Sequence, residues 1–187
     1  MKVISGKYRG RNIEGFTIGG TRPTMDRVKE SLFAMIQEYI PNKIILDLFS
    51  GSGNLGIEAL SNGAEHAYLC DKNIKAIKTI EKNMKNIGIT DYTTLCSDYK
   101  KCIEKLEEEN IKIDVIFLDP PYDTEYIKNS IEIINNTNIL NENGLIICES
   151  DKIDKIVYPN IYNKIKEKKY GDKYIVILKK IWYYILR

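Results

Sequence analysis

From Lys43 onward the chain alternates between two rhythms of apolar residues. Short continuous runs, beginning with Lys43-Ile44-Ile45-Leu46-Asp47-Leu48, have the character of parallel strands buried on both faces. Runs of the same kind recur near 66–70, 93–97, 113–118 and 145–149. Between them, apolar residues return at three- and four-residue spacing near 54–62, 73–87, 99–109 and 124–136, which predicts helices. In the second of these, Ile77, Ile80, Met84 and Ile87 form one stripe and Gly88 supplies the stop. Alternation on this scale predicts an α/β fold, a Rossmann-like doubly wound sheet that is mostly parallel. Residues 161–179 break the rhythm. Two β-like pieces flank Tyr170-Gly171-Asp172, so an antiparallel C-terminal hairpin is expected to close the sheet.

The first 40 residues follow another pattern. Short β-like pieces alternate with Gly6, Gly10, Gly15 and Gly19-Gly20, the signature of a small β-hairpin and loop. Thr24 is placed to cap a following helix, whose apolar face is Val28, Leu32, Met35 or Ile36, and Tyr39, and which Pro41 stops. The expected organisation is one domain over 1–187, with an N-terminal extension over 1–40 and a catalytic core over 41–187.

Charge makes the extension more interesting. The whole chain carries only +2, but residues 1–30 hold seven basic against three acidic residues and 151–187 hold ten against four. The stretch between must then carry −8, an acidic body with basic ends that suit a polyanion. Of the five arginines, Arg9, Arg11, Arg22 and Arg27 fall in the first 27 positions. Arginine offers a planar donor fork for phosphates and base edges that lysine does not replace. The cysteines exclude more than they suggest. Cys70, Cys96, Cys102 and Cys148 show no Cys-x-x-Cys spacing and His66 is the single histidine, so no metal site is expected. Cys70, Cys96 and Cys148 lie in or beside strand-like runs and are expected to be small buried thiols. No apolar run reaches the roughly 18 residues of a membrane helix. The opening Met1-Lys2-Val3-Ile4-Ser5-Gly6 has no signal-peptide stretch, so a cytoplasmic protein that uses no membrane is expected.

Gly51-Ser52-Gly53-Asn54-Leu55-Gly56 places a glycine-rich turn between the first core strand and its helix, where backbone N–H groups can meet a ligand. Asp71 ends the next strand 20 residues after Gly51, positioned to hold ribose hydroxyls. These features also suit a nicotinamide dehydrogenase, and Asp47 separates the two readings. A pyrophosphate beside it would face like charge at a cost of about 1–4 kcal/mol. S-adenosylmethionine carries an ammonium and a sulfonium and no phosphate, so the same carboxylate attracts it. Asp98, after the third core strand, is placed to accept from an adenine amino group. Asp47, Asp71 and Asp98 form a row of acids suited to a cationic cofactor, although any of them could instead be a helix cap.

Asp119-Pro120-Pro121-Tyr122 ends the fourth core strand. The lone pair of an exocyclic base amine is delocalised into the ring, which makes the amine a poor nucleophile. Asp119 and the Pro120 carbonyl can accept its two hydrogens and turn the lone pair outward. The prolines fix the backbone and remove competing donors. Tyr122 offers a stacking face worth roughly 1–3 kcal/mol per base. Chemistry of this kind asks for positioning more than for acid–base groups.

Asp47-x-Phe49-x-Gly51-x-Gly53 followed by Asp119-Pro120-Pro121-Tyr122 resembles the amino-group methyltransferases of the class I S-adenosylmethionine-dependent fold. Ile4-Ser5-Gly6, Arg9-Gly10-Arg11, Arg22-Pro23-Thr24-x-Asp26-Arg27-Val28-x-Glu30-x-Leu32-Phe33 and Lys169-Tyr170-Gly171-Asp172 resemble the RsmD family more narrowly. Members of that family make N2-methylguanine in 16S ribosomal RNA, acting on assembled small-subunit material near the peptidyl-tRNA site. The resemblance implies a cofactor pocket of Asp47, Phe49, Gly51, Gly53, Asp71 and Asp98, with S-adenosyl-L-methionine as cofactor. It implies that Asp119, Pro120, Pro121 and Tyr122 hold the guanine. It also implies that Arg22, Thr24 and Arg27 lie near cofactor or RNA, the partner being 16S rRNA, the small subunit or an assembly intermediate, while the clustered Arg9 and Arg11 are expected to dock that RNA through its phosphates. Residues 180–187 extend past the family's usual end. The rival readings are an N6-adenine DNA or RNA methyltransferase and a non-catalytic nucleic-acid-binding relative.

Overall fold

The computed structural model describes residues 1–16, 23–121 and 125–181. Its elements run α1 (Pro23–Ile36), β1 (Ile44–Asp47), α2 (Asn54–Ser61), β2 (His66–Asp71), α3 (Ile74–Ile87), β3 (Tyr92–Cys96) and α4 (Tyr99–Glu108). The second half adds β4 (Ile113–Leu118), α5 (Tyr126–Asn136), β5 (Leu140–Ser150), β6 (Tyr162–Tyr170) and β7 (Lys173–Lys180). Short 3-10 turns at Gln37–Tyr39 and Ile153–Lys155 follow α1 and β5.

The seven strands form one sheet in the order β3-β2-β1-β4-β5-β7-β6. The first five are parallel, and β7 runs antiparallel to both β5 and β6, as the hairpin pattern predicts. Strand order reverses between β1 and β4, so a crevice opens at their carboxyl ends, where open α/β sheets bind ligands. Strand residues alternate between two cores. Ile45, Val115, Phe117 and Ile147 face α1, α2 and α3, whereas Leu46, Ile116, Leu118 and Ile146 face α4 and α5. The predicted stripe on α3 is buried as Ile77, Ile80, Met84 and Ile87, and Gly88 closes the helix at φ 85°, its N–H bonded to Met84 O.

Three expectations need correction. Strand β5 starts at Leu140 rather than near 145, because the polar Asn141-Glu142-Asn143 bends it at Asn143 (φ 60°) while Leu140 still pairs with Ile113. Thr24 does not cap α1. The helix already includes Pro23, whose missing N–H costs nothing in the first turn. Cys96 is exposed on the edge strand β3, although Cys70, Cys102 and Cys148 are buried. Residues 1–16 form a short antiparallel hairpin, with Lys2 bridging Asn12, with Met1 and Ile13 exchanging backbone hydrogen bonds, and with the Val3 N–H donating to Arg11 O.

That arm is fastened to the sheet. Glu58, fully buried on α2, accepts from the N–H groups of Ile4 (3.0 Å) and Ser5 (2.8 Å) and from the Ser5 hydroxyl (3.0 Å). Lys29 of α1 pairs with Glu58 at 2.8 Å and also donates to Lys2 O and Asn54 Oδ1. Asn83 of α3 exchanges two hydrogen bonds with the Glu14 backbone and donates to Ser52 O in the glycine loop. Gly6 crosses α2 so closely that a Cβ there would sit 1.8 Å from Ser61 O. The arm and the glycine loop therefore share their supports.

Candidate active site

A cavity of about 430 Å³ opens at the switch point, within the roughly 300–1,000 Å³ typical of ligand sites. Strand β1 delivers Asp47 to its floor, and the turn after it adds Phe49, Ser50, Gly51 and Ser52. Asp119 enters from β4, Glu149 from β5 and Lys173 from β7. The arm and α1 contribute Phe16, Lys29 and Leu32 among other residues.

The glycine loop lies where its spacing predicts, between β1 and α2. Gly53 caps α2 at φ 78°, a conformation that side-chain-bearing residues avoid, and a Cβ there would press on Leu69 and Ile80 at 3.2 Å. Asp71 accepts from the Gly51 N–H (3.0 Å) and the Asn73 N–H (2.8 Å), so it shapes the loop as well as standing beside it. Asp71 and Asp98 both lie outside the cavity lining. The Asp98 carboxylate caps α4 by accepting from the Lys100 N–H at 3.0 Å. Phe49 stacks against Tyr126 (5.7 Å, 17° between planes) and packs on Tyr99, bracing the loop against α4 and α5.

Asp47 is buried, and burial is the largest cause of a carboxyl pKa pushed up to about 7. The Gly56 N–H, at 3.3 Å from Oδ2, opposes that rise, while the Asp71 charge adds to it. Its other oxygen, Oδ1, is buried and makes no hydrogen bond of normal geometry among the described residues. A desolvated carboxylate with an unanswered oxygen in a cavity wall is suited to a cation. The site therefore fits the ammonium end of S-adenosylmethionine.

Asp119 is pushed up to about 8, first by burial and then by Glu149, with Lys173 pulling the other way. Pro120 is buried and Pro121 exposed. Tyr122 and Arg22 lie outside the described residues, as does the side chain of Thr24. Arg9 and Arg11 are exposed on the arm, and Arg27 is exposed on α1 and does not line the cavity.

Four charged residues were not anticipated from the sequence. Glu149 ends a strand just as Asp47, Asp71 and Asp119 do, so the same reasoning could have found it. Lys29, Glu58 and Lys173 had no such signal, because each acquires its partner from a distant segment. Among the described residues no group of three His, Cys, Asp or Glu gathers as a metal site.

Comparison with known proteins gives the chain a family and a fold. The family model described as Conserved hypothetical protein 95 matches residues 1–179. The chain belongs to this family, the RsmD family. YlbH of Bacillus subtilis is 36% identical over 184 residues, covering 96% of this chain and 99% of its own. The RsmD-family protein of Buchnera aphidicola named Ribosomal RNA small subunit methyltransferase D is 34% identical, covering 89% of this chain and 86% of its own. The solved structure of Escherichia coli yhhF superposes with a TM-score of 0.85 at 27% identity, covering 96% of this chain and 97% of that one. Streptococcus mutans SMU.776, solved with SAH, shares the fold at a TM-score of 0.70 and 17% identity, covering 85% of this chain and 50% of its own. The RsmD-family chain thus has the class I methyltransferase fold.

Proposed function

We propose that this chain uses S-adenosyl-L-methionine to methylate the exocyclic N2 amine of a guanine in small-subunit ribosomal RNA. The observation that carries the reading is one cavity holding Asp119, at the start of the Asp-Pro-Pro turn, beside the buried Asp47 and the glycine loop. Asp47, Ser50, Gly51 and Asn54 are placed to hold the cofactor, which when bound supplies an electrophilic methyl group. Asp119 and the Pro120 carbonyl accept the two N2 hydrogens, so the nitrogen lone pair points at that methyl. With its pKa raised to about 8, Asp119 in its ionised form would be a proton acceptor placed to take the proton that the amine releases on methylation. Arg9 and Arg11, exposed on an arm pinned by Glu58 and Asn83, provide a fixed basic surface for RNA, so residues 1–40 act as a docking extension.

The test is mass mapping of N2-methylguanosine in small-subunit rRNA from cells lacking the protein, complemented with wild type or with Asp119→Ala. Wild type should restore the modification and Asp119→Ala should not, while calorimetric cofactor affinity stays within a few-fold because the residue orients the nucleophile. A variant that keeps a tenth of wild-type turnover removes Asp119 from this role. An unchanged modification map in the deletion strain removes the function.

A further inference from the structure

The sheet order lays the site's charged groups in a line. Along the carboxyl ends of β2, β1, β4 and β5 stand Asp71, Asp47, Asp119 and Glu149. Asp119 lies one residue past the Leu118–Cys148 pair, which places it opposite Glu149 on the neighbouring strand. Strand β7 runs the other way, and its Tyr174 pairs with Ser150, so Lys173 begins at this same edge and pairs with Glu149. Asp47 lines the cavity beside the glycine loop, and Asp71 holds that loop's Gly51 N–H. The remaining order, Asp119, Glu149, Lys173, is acceptor, acceptor, donor along one wall of the cavity.

Guanine presents the complementary order on its Watson–Crick edge: the N2 amine donates, N1–H donates and O6 accepts. Among the amine-bearing bases it alone has a ring N–H beside its exocyclic amine. Adenine N6 and cytosine N4 have a ring acceptor there, which a carboxylate repels. We propose that Glu149 and Lys173 determine base specificity, Glu149 accepting from guanine N1–H and Lys173 donating to O6 while Asp119 holds N2. Their mutual ion pair is compatible with this, because a carboxylate accepts in several directions and an ammonium carries three donors. Side-chain exposures of 15% for Glu149 and 30% for Lys173 leave both reachable from the cavity. This inference rests on the guanine-N2 reading above.

The experiment uses small subunits reconstituted with rRNA that carries either guanine or 2-aminopurine at the methylated position. 2-Aminopurine keeps the N2 amine but lacks N1–H and O6. Wild type should prefer guanine by roughly ten- to a hundredfold or more in kcat/KM, the size expected for missing hydrogen bonds to charged groups. Glu149→Gln, whose amide can donate to the bare N1, should lose guanine turnover but not 2-aminopurine turnover, narrowing the ratio by about tenfold or more. A merely structural role for Glu149 would slow both bases alike. Lys173→Met should also narrow the ratio, and it keeps the proposal testable if Glu149→Gln does not fold. Equal wild-type rates on the two bases, or an unchanged ratio in the folded variants, overturn the assignment. Absence of any guanine-N2 methylation by wild type would instead overturn the underlying reading.

Discussion

Replacing Glu58 with Ala should be among the most damaging single changes outside the reacting centre. Glu58 and Lys29 are 0% and 2% exposed and 2.8 Å apart, and Glu58 also takes three donors from Ile4 and Ser5. Burial already holds the Lys29 pKa below its ordinary value, and Glu58, with a smaller contribution from Asp26, opposes that. Truncation leaves a buried ammonium without its ion-pair partner and strips the arm's N–H groups of their acceptor. Removing one partner of a buried pair costs about 3–5 kcal/mol, a large share of the roughly 5–15 kcal/mol that holds a domain together. For a chain of this length that means a Tm lower by roughly 6–20 °C. Lys29→Met should cost less, because Glu58 keeps its donors from Ile4 and Ser5. Urea denaturation gives the free energies, and trypsin cleavage at Lys7, Arg9 and Arg11 reports whether the arm has come loose. A Glu58→Ala loss under about 1 kcal/mol, the scale of an exposed ion pair, would refute the claim that this pair is desolvated and anchors the arm.

Four further outcomes follow from the site and the arm. Burial puts Asp47 at about 7 without ligand, and a bound cation favours its ionised form. Cofactor affinity should therefore rise between about pH 6 and the α-amino range near 7.7–8.0, and binding below pH 7 should release a proton. Calorimetry in buffers of different ionisation enthalpy measures that release, and flat affinity would exclude this role for Asp47. The same raised pKa costs stability: an ionised Asp47 is disfavoured in the fold, so its penalty is absent below about pH 4 and complete above about pH 7. Asp71→Ala should weaken cofactor binding at least about tenfold, by removing the acceptor for the ribose hydroxyls and by freeing the Gly51 N–H it now holds. Equilibrium dialysis with labelled cofactor is the check, and undiminished affinity in a folded variant excludes the assignment. Arg9→Ala with Arg11→Ala should lower small-subunit affinity and flatten its log-salt slope by roughly 0.7 for each single-strand phosphate no longer neutralised, with cofactor binding unchanged. Identical slopes would make the arm structural.

Much of the core was legible in the sequence because its signals are local. Apolar runs such as Ile44–Asp47, the α3 stripe and the glycine turn each specify themselves within a few residues, and a parallel sheet then puts Asp47 and Asp119 at one edge. Asp98 marks the limit of that reasoning. A strand-ending acid can serve a ligand or cap the next helix, and here its oxygen is given to Lys100 N–H. Strand β5 shows another limit, since three polar residues interrupt the apolar rhythm while backbone pairing to β4 begins at Leu140. Tertiary structure alone decided the long-range charge pairs. Nothing near Glu58 in sequence says that an acid on an apolar helix face will meet Lys29 and the backbone of residues 4 and 5. Likewise, Lys173 reaches Asp119 and Glu149 only because β7 reverses direction beside β5. Periodicity fixes which face of an element is buried, but the partner of a buried charge depends on which distant segment the topology lays against it.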